Sequence, residues 1–215
     1  MNQRTRIKIC GLTREADVDA ALRAGADAIG LVLYEHSPRH VDLNRAVALA
    51  RRLPPFVTPV CLFVNASVEL VERTTQALPQ ALLQFHGDET PAQCRAANRP
   101  YLRAARMSPK LGLLDFAREF ADATGLLLDA HFEGYGGGGK AFDWSLIPKS
   151  VPVPVVLSGG LSPANVIDGI ARVRPWAVDV SSGVESAKGI KDAELMRLFC
   201  DAVRQADTRI ADAGL

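Results

Sequence analysis

RIKICGLTREADVDAALRAG, residues 6–25, contains one complete strand–loop–helix unit, and the rest of the fold is read by asking how often that unit returns. The apolar run ends at Cys10, turns at Gly11, and reaches Thr13, a residue type that favours the first position before a helix. Acidic Glu15 and Asp17 suit the positive end of a helix dipole, Val18, Ala21 and Leu22 recur at helical spacing, and Gly25 closes the segment.

Working outward, DAIGLVL (27–33) is a continuous apolar run of the kind that strands buried on both faces display, and it is followed by Ala46, Leu49, Ala50 and Leu53 on one side of a helix. VTPVCLFV (57–64) leads through Asn65 and Ser67 into a helix carrying Val71, Thr74, Thr75 and Leu78. ALLQF (81–85) leads into a shorter helix from about Thr90. YLRAA (101–105) precedes Ser108-Pro109, read as an N-cap with proline at the first helical position, and the stripe Leu113, Phe116, Ala117, Phe120. GLLLD (125–129), PVVLS (154–158) and WAVDV (176–180) are three more strands, the last two followed by helices near Ser162-Pro163 and Asp192. The helix after the sixth strand, beyond FDWSLIP, is the weakest element.

Eight strand–helix alternations in one chain predict an α/β fold of a particular kind, a single (β/α)8 TIM barrel over residues 1–215 with a closed parallel eight-stranded sheet. A doubly wound open sheet is the structural alternative, and no linker or composition break divides the chain.

The totals agree with one soluble domain. The chain has 215 residues, 48% hydrophobic and 23% charged, enough apolar material for a core without disulfides or metal. A formal charge of +1, with no long block of one sign, argues against nucleic acid or a membrane surface as partner. Cys10, Cys61, Cys94 and Cys200 are widely spaced and form no C-x-x-C pair, which suits a reducing cytoplasm. The opening MNQRTRIKIC lacks an apolar segment of signal-peptide length, and no stretch approaches a membrane span. The expectation is a cytoplasmic protein, monomer or homodimer.

Barrels of this kind place their chemistry where the strands stop, and the stops here are polar: Cys10, the Tyr34–Arg39 loop, Asn65, Gln84 and His86, Asp129, Ser158 and Asp179. SGGLS (158–162) and SSG (181–183) follow the last two strands, where backbone N–H groups can converge on a phosphate. GYGGGGK (134–140) is read as a flap or a surface loop. A lone cysteine usually just fills the core, and an aspartate at a strand end can be a cap. Cys10 and Asp129 end in the same layer, so two proton-transfer groups can face one substrate. Arg39 beside a phosphate pocket can clamp a carboxylate, whereas Asp179 is either a support for the phosphate loop or a substrate contact. His36, His40, His86 and His131 do not make a metal site: Pro38 interrupts the first pair and no acidic cluster completes a set.

The motifs KICGLT, GADAIGLVLYEHSPRHV, FVN, QFHGDE, LLLDA, GGGGKAFDW, LSGGLSPANV and DVSSGVES, the last followed after Ala187 by KGIKD, run in order along nearly the whole chain. In this the sequence closely resembles the phosphoribosylanthranilate isomerases of tryptophan biosynthesis. The resemblance implies a barrel enzyme that converts N-(5-phosphoribosyl)anthranilate to 1-(2-carboxyphenylamino)-1-deoxyribulose 5-phosphate, an Amadori rearrangement without cofactor or metal. It implies Cys10 as general base, Asp129 as general acid, Arg39 as the holder of the anthranilate carboxylate, and Gly160, Ser182 and Gly183 at the phosphate. One departure is Gly136 to Gly139, where family members commonly carry Gly-Gly-Thr-Gly or Gly-Gly-Ser-Gly, so a hydroxyl is missing from that loop.

A related isomerase of histidine biosynthesis is expected to present aspartate where Cys10 stands, and indole-glycerol-phosphate synthase a lysine and glutamate constellation not found here. A non-catalytic phosphometabolite sensor, the reading from another class, has no need of Cys10 and Asp129 together. The chemistry carries a difficulty of its own, because it wants a carboxylic acid beside a thiolate while reference values near 3.9 and 8.5 favour the reverse. The expectation from sequence is that substrate anions hold the proton on Asp129 and that the amides of the helix after Thr13 stabilise the thiolate.

Overall fold

The structure, a computed structural model, describes residues 4–130 and 142–213. Eight parallel strands close in chain order into a barrel: β1 (Arg6–Cys10), β2 (Ala28–Val32), β3 (Thr58–Phe63), β4 (Leu82–Phe85), β5 (Tyr101–Met107), β6 (Gly125–Ala130), β7 (Val155–Leu157) and β8 (Ala177–Val180). Six of them lie inside the apolar runs of the sequence, while β5 and β6 continue past theirs to Met107 and Ala130. Those runs are continuous because both strand faces are covered: Ile9, Ile29, Phe63, Leu83, Leu126 and Leu157 point to the helical layer and are fully buried. Each such side chain contributes about 1.5–3 kcal/mol when removed from water, so the outward face stabilises the barrel wall.

The helices are α1 (Glu15–Ala24), α2 (Leu43–Ala50), α3 (Val68–Ala77), α4 (Pro91–Ala96), α5 (Leu113–Glu119), α6 (Val166–Val173) and α7 (Ala193–Asp212). Asp42, Ser67, Thr90 and Asp192 cap four of them by accepting a backbone N–H, each cap worth about 1 kcal/mol. No helix among the described residues is long and apolar enough to cross a membrane.

Three helix starts differ from expectation. Arg14, not Thr13, occupies the N-cap of α1 and makes no side-chain cap, because the Thr13 hydroxyl donates instead to the Gly189 carbonyl at 2.9 Å. Ser108-Pro109 opens a turn closed by the Leu111 N–H on the Ser108 carbonyl, and α5 begins later, behind Gly112. Ser162-Pro163 likewise opens a turn, and α6 starts after Asn165. Between β6 and β7 the described residues hold only a 3-10 turn, Trp144–Leu146, capped by Asp143.

Inside the barrel the layers differ in chemistry. Leu82, Leu102, Ala104, Leu127, Val156 and Ala177 form an apolar plug. Towards the strand ends the inward positions become Lys8, Cys10, Gln84, His86, Asp129, Ser158 and Asp179, most of them buried yet polar or charged. A small apolar group, Cys10, Val32, Leu62 and Val64 with Tyr34 beside it, lines part of that mouth. After β8 the chain makes a short hairpin, β9 (Glu185–Ala187) with β10 (Ile190–Lys191), before α7.

Candidate active site

Strand alternation puts Lys8 and Cys10 on the same inward face of β1, and the parallel register sets Lys8 opposite Asp179 on β8. Their side chains meet at 2.9 Å and are nearly sealed from water, with exposures of 5% and 6%. An unpaired buried charge would cost several kcal/mol, so neither residue is tolerable without the other. Asp179 also accepts from the Ser158 hydroxyl at 3.3 Å. Of the two roles open to it from sequence, its contacts are those of a support within the protein.

Cys10 ends β1 in register with Gly30. A Cβ on Gly30 would stand 2.5 Å from the Cys10 sulfur, so the glycine is what leaves room for the thiol. Burial pushes the Cys10 thiol up; Lys8 opposes the shift, Asp179 adds to it, and Lys191 opposes it more weakly. The cations around the sulfur are thus Lys8 of β1 and Lys191 of β10, with Arg39 nearby. Burial also works against the Lys8 charge, but Asp179 and the sulfur outweigh it and the amine is pushed up to about 12.

A raised thiol pKa means less thiolate at any given pH. Iodoacetamide is expected to label Cys10 slowly at neutral pH, with a rate that climbs through and beyond the ordinary cysteine value near 8.5. Peptide mapping of the labelled protein across pH checks this, and labelling already at its plateau at neutral pH would contradict it.

Arg39 leaves the loop after β2 and is gripped by Glu185 of β9, Nε to Oε1 at 2.7 Å and Nη2 to Oε2 at 2.8 Å. Lys191 donates to the same carboxylate at 2.8 Å and to the Ser181 carbonyl at 3.0 Å, and the Ser181 hydroxyl donates to the Cys10 carbonyl at 3.0 Å. One buried network thus joins Arg39 to the end of β1. Glu185 occupies the Nε–Nη2 edge of the guanidinium, and Nη1 makes no hydrogen bond among the described residues.

Asp129 stands near the end of β6, three strands around the barrel from β1, and is buried. Its Oδ1 accepts the Ala130 N–H at 2.9 Å and its Oδ2 lies 3.0 Å from His86 Nε2. The other ring nitrogen, Nδ1, lies 2.9 Å from Gln84 Nε2.

The loops after β7 and β8 touch. A Cβ on Gly183 would fall 1.9 Å from the Leu161 carbonyl oxygen, so only glycine permits this approach. Asn165 ties the first loop, accepting the Ser162 N–H at 2.8 Å and donating to the Gly160 carbonyl at 2.9 Å. The N–H groups of Gly160, Ser182 and Gly183 donate to no described residue. Rigid loops with unspent amides at the strand ends are what an anion site requires.

All seven candidate residues, Cys10, Asp129, Arg39, Asp179, Gly160, Ser182 and Gly183, thus lie on strand ends or loops at one mouth. Lys8, Glu185 and Lys191 escaped the sequence reading. Lys8 had a signal, a charge two positions before Cys10 in an apolar strand, whereas Glu185 and Lys191 look in sequence like ordinary loop charges. His131 and the glycine run 136–139 lie outside the described residues.

Residues 7–202 match the family model described as N-(5'phosphoribosyl)anthranilate (PRA) isomerase. The N-(5'-phosphoribosyl)anthranilate isomerase of Leptothrix cholodnii is 74% identical over 211 residues, covering 98% of this chain and 96% of that one. The crystal structure of phosphoribosyl anthranilate isomerase from Thermotoga maritima superposes with a TM-score of 0.87 at 37% identity, covering 94% of this chain and 99% of that one. A further crystal structure of such an isomerase, in complex with reduced 1-(o-carboxyphenylamino)-1-deoxyribulose 5-phosphate, gives a TM-score of 0.79 at 33% identity and covers 94% and 99%.

Proposed function

The chain belongs to the N-(5'-phosphoribosyl)anthranilate isomerase family of tryptophan biosynthesis, and from that premise we propose that it performs the Amadori rearrangement with Cys10 as base and Asp129 as acid. The observation that carries this reading is the placement of a thiol on β1 and a carboxyl on β6 at one barrel mouth, beside loops with three unspent amides.

The substrate has two anions and a reactive sugar between them. Its phosphate sits on the N–H groups of Gly160, Ser182 and Gly183, and its anthranilate carboxylate meets the Nη1 side of Arg39. The molecule bound by the related isomerase, a reduced product, carries the same two anions. Anchoring both ends fixes the sugar carbons between Cys10 and Asp129, which replaces diffusion by orientation.

Asp129 then gives its proton to the ribose ring oxygen as the C1–O bond breaks, and the nitrogen lone pair forms the C=N bond of a Schiff base. The Cys10 thiolate takes the proton from C2, the electrons pass into a C1=C2 bond, and the C=N pair returns to nitrogen. The resulting enolamine becomes the ketone when C1 takes a proton from water and the C2 hydroxyl gives its proton to water, and passage of one proton from the Cys10 thiol through water to the Asp129 carboxylate restores both groups. Atoms and charge balance without any added redox partner.

Lys8 and Lys191 are the groups that offset the cost of a buried thiolate. Asp179 borders the substrate pocket and holds Lys8 in place under the sulfur. Arg39→Ala is expected to raise KM by about ten- to a hundredfold with kcat within a few fold, since an anchor acts equally on ground and transition states. Steady-state kinetics decides this, and a fall mainly in kcat would assign the guanidinium to the transition state.

The reading is tested by mixing the purified protein with freshly made phosphoribosylanthranilate and following loss of anthranilate fluorescence without added metal or nucleotide. Turnover that Cys10→Ala removes is expected. Tight binding without turnover would instead make the protein a sensor.

A further inference from the structure

We propose that Gln84 and His86 are positioning residues for Asp129: the Gln84 amide keeps His86 neutral in the Nε2–H tautomer, and that N–H is aimed at the carboxylate that Asp129 becomes on giving up its proton. The inference rests on the reading of Asp129 as acid and goes beyond it by assigning the two side chains behind that acid.

The geometry is a chain of three groups from two strands. Gln84 and His86 alternate at the end of β4, both facing inward, and Gln84 is completely buried. Gln84 Nε2 lies 2.9 Å from His86 Nδ1, and His86 Nε2 lies 3.0 Å from Asp129 Oδ2. The backbone on either side of the imidazole is fixed from behind: Arg103 donates to the Phe85 carbonyl at 3.0 Å and the Gly87 carbonyl at 3.1 Å, while Glu89 accepts the Gly87 N–H at 2.8 Å. Arg106, whose Nη2 also reaches the Gly87 carbonyl, is paired with Asp88 outside this chain of groups. The charged group directly on the imidazole is thus Asp129.

A neutral imidazole has one N–H and one acceptor nitrogen, and the partner of one decides the role of the other. Gln84 offers N–H to Nδ1, so Nδ1 accepts and the proton resides on Nε2. That proton is what a carboxylate needs at Oδ2, since an ionised carboxylate can only accept. An imidazolium would carry N–H at both nitrogens, meet the Gln84 amide donor head-on, and hold Asp129 in its ionised form, which cannot serve as an acid. A neutral His86 presents its N–H to Oδ2 without placing a positive charge beside the acid. Gln84 Oε1 is buried and without a partner among the described residues, and the flipped amide, which would set that oxygen on a protonated Nδ1, is the alternative that the ring-nitrogen spectrum distinguishes.

The test uses the full chain labelled with 15N in its histidine rings. NMR near neutral pH is expected to find His86 with Nδ1 unprotonated and Nε2 protonated. Gln84→Glu keeps the size of the side chain but replaces the donor by an acceptor, so Nδ1 should become protonated. In that variant kcat should fall by about ten- to a hundredfold, less than loss of the acid itself, with KM within about twofold, because the acid rather than the anion sites is disturbed. A protonated Nδ1 in the wild-type spectrum overturns the proposal whatever the variant does, as does Gln84→Glu with unchanged kcat. Full activity in Asp129→Asn would instead sink the acid assignment, an outcome the tautomer spectrum does not depend on.

Discussion

Cys10→Ala is expected to lower kcat by about two to four orders of magnitude, the scale on which a positioned base acts, while KM moves only a few fold. The reasoning separates chemistry from packing. The sulfur touches the small apolar group of Val32, Leu62 and Val64, and its removal deletes one buried heavy atom, costing about 1 kcal/mol of stability. Lys8 keeps its charge partner, because Asp179 holds it at 2.9 Å independently of the thiol. Arg39 keeps both bonds to Glu185, and the Ser181 hydroxyl ahead of the Ser182 and Gly183 amides bonds the backbone carbonyl of residue 10, which alanine retains. A variant that still folds and binds but does not turn over would thus isolate the loss of the base. Cys10→Ser sharpens the test, since a hydroxyl fits the space beside Gly30 but ionises far less readily than a thiol. Serine should recover little of the rate.

Asp129→Asn is expected to cost a comparable two to four decades in kcat, for a different reason. The amide has the shape of the carboxyl but gives up no proton, so the sugar ring stays closed and the step that precedes the work of Cys10 fails. Its surroundings are also tuned to an acceptor: Oδ1 takes the Ala130 N–H and Oδ2 faces His86. An asparagine can satisfy only one of these with oxygen and must turn its NH2 to the other. The two variants should differ in what accumulates. Without the thiol, ring opening still proceeds and an opened Schiff base can form; without the acid, the bound substrate stays cyclic. Rapid-mixing absorbance of the bound ligand distinguishes the two, and identical spectra would argue against separate roles.

The barrel was legible because its signal repeats. Seven of the eight apolar runs stop at polar residues, and each barrel strand falls on its run, with β5 and β6 continuing beyond theirs to Met107 and Ala130. The helix starts were less legible, since a hydroxyl or a proline favours a cap only when no better partner is near. Thr13 found the Gly189 carbonyl from a hairpin 176 positions away, which no local pattern announces. Ser108-Pro109 suits the entry to a turn as well as to a helix.

The site divides in the same way. Cys10, Asp129 and the glycine loops were readable because position along a strand determines whether a side chain or an amide reaches the mouth. Lys8 and Asp179 depend on register between the first and last strands, which closes only in three dimensions. Glu185 and Lys191 acquire meaning from Arg39, supplied by a loop on the other side of β1. The two lysines beside the thiol went unread for this reason. A helix dipole can be read from one segment, while a buried cation is held in place by partners from several.

The measurement that bears most directly on the pairing of thiol and carboxyl is a crystal structure of this protein soaked with the reduced product. The expected result has phosphate on the Gly160, Ser182 and Gly183 amides, with the Cys10 sulfur and an Asp129 oxygen each about 3–3.5 Å from the reacting part of the sugar, on opposite sides of it. A closed complex with the phosphate on those amides but with either group separated from the sugar by intervening protein would contradict it.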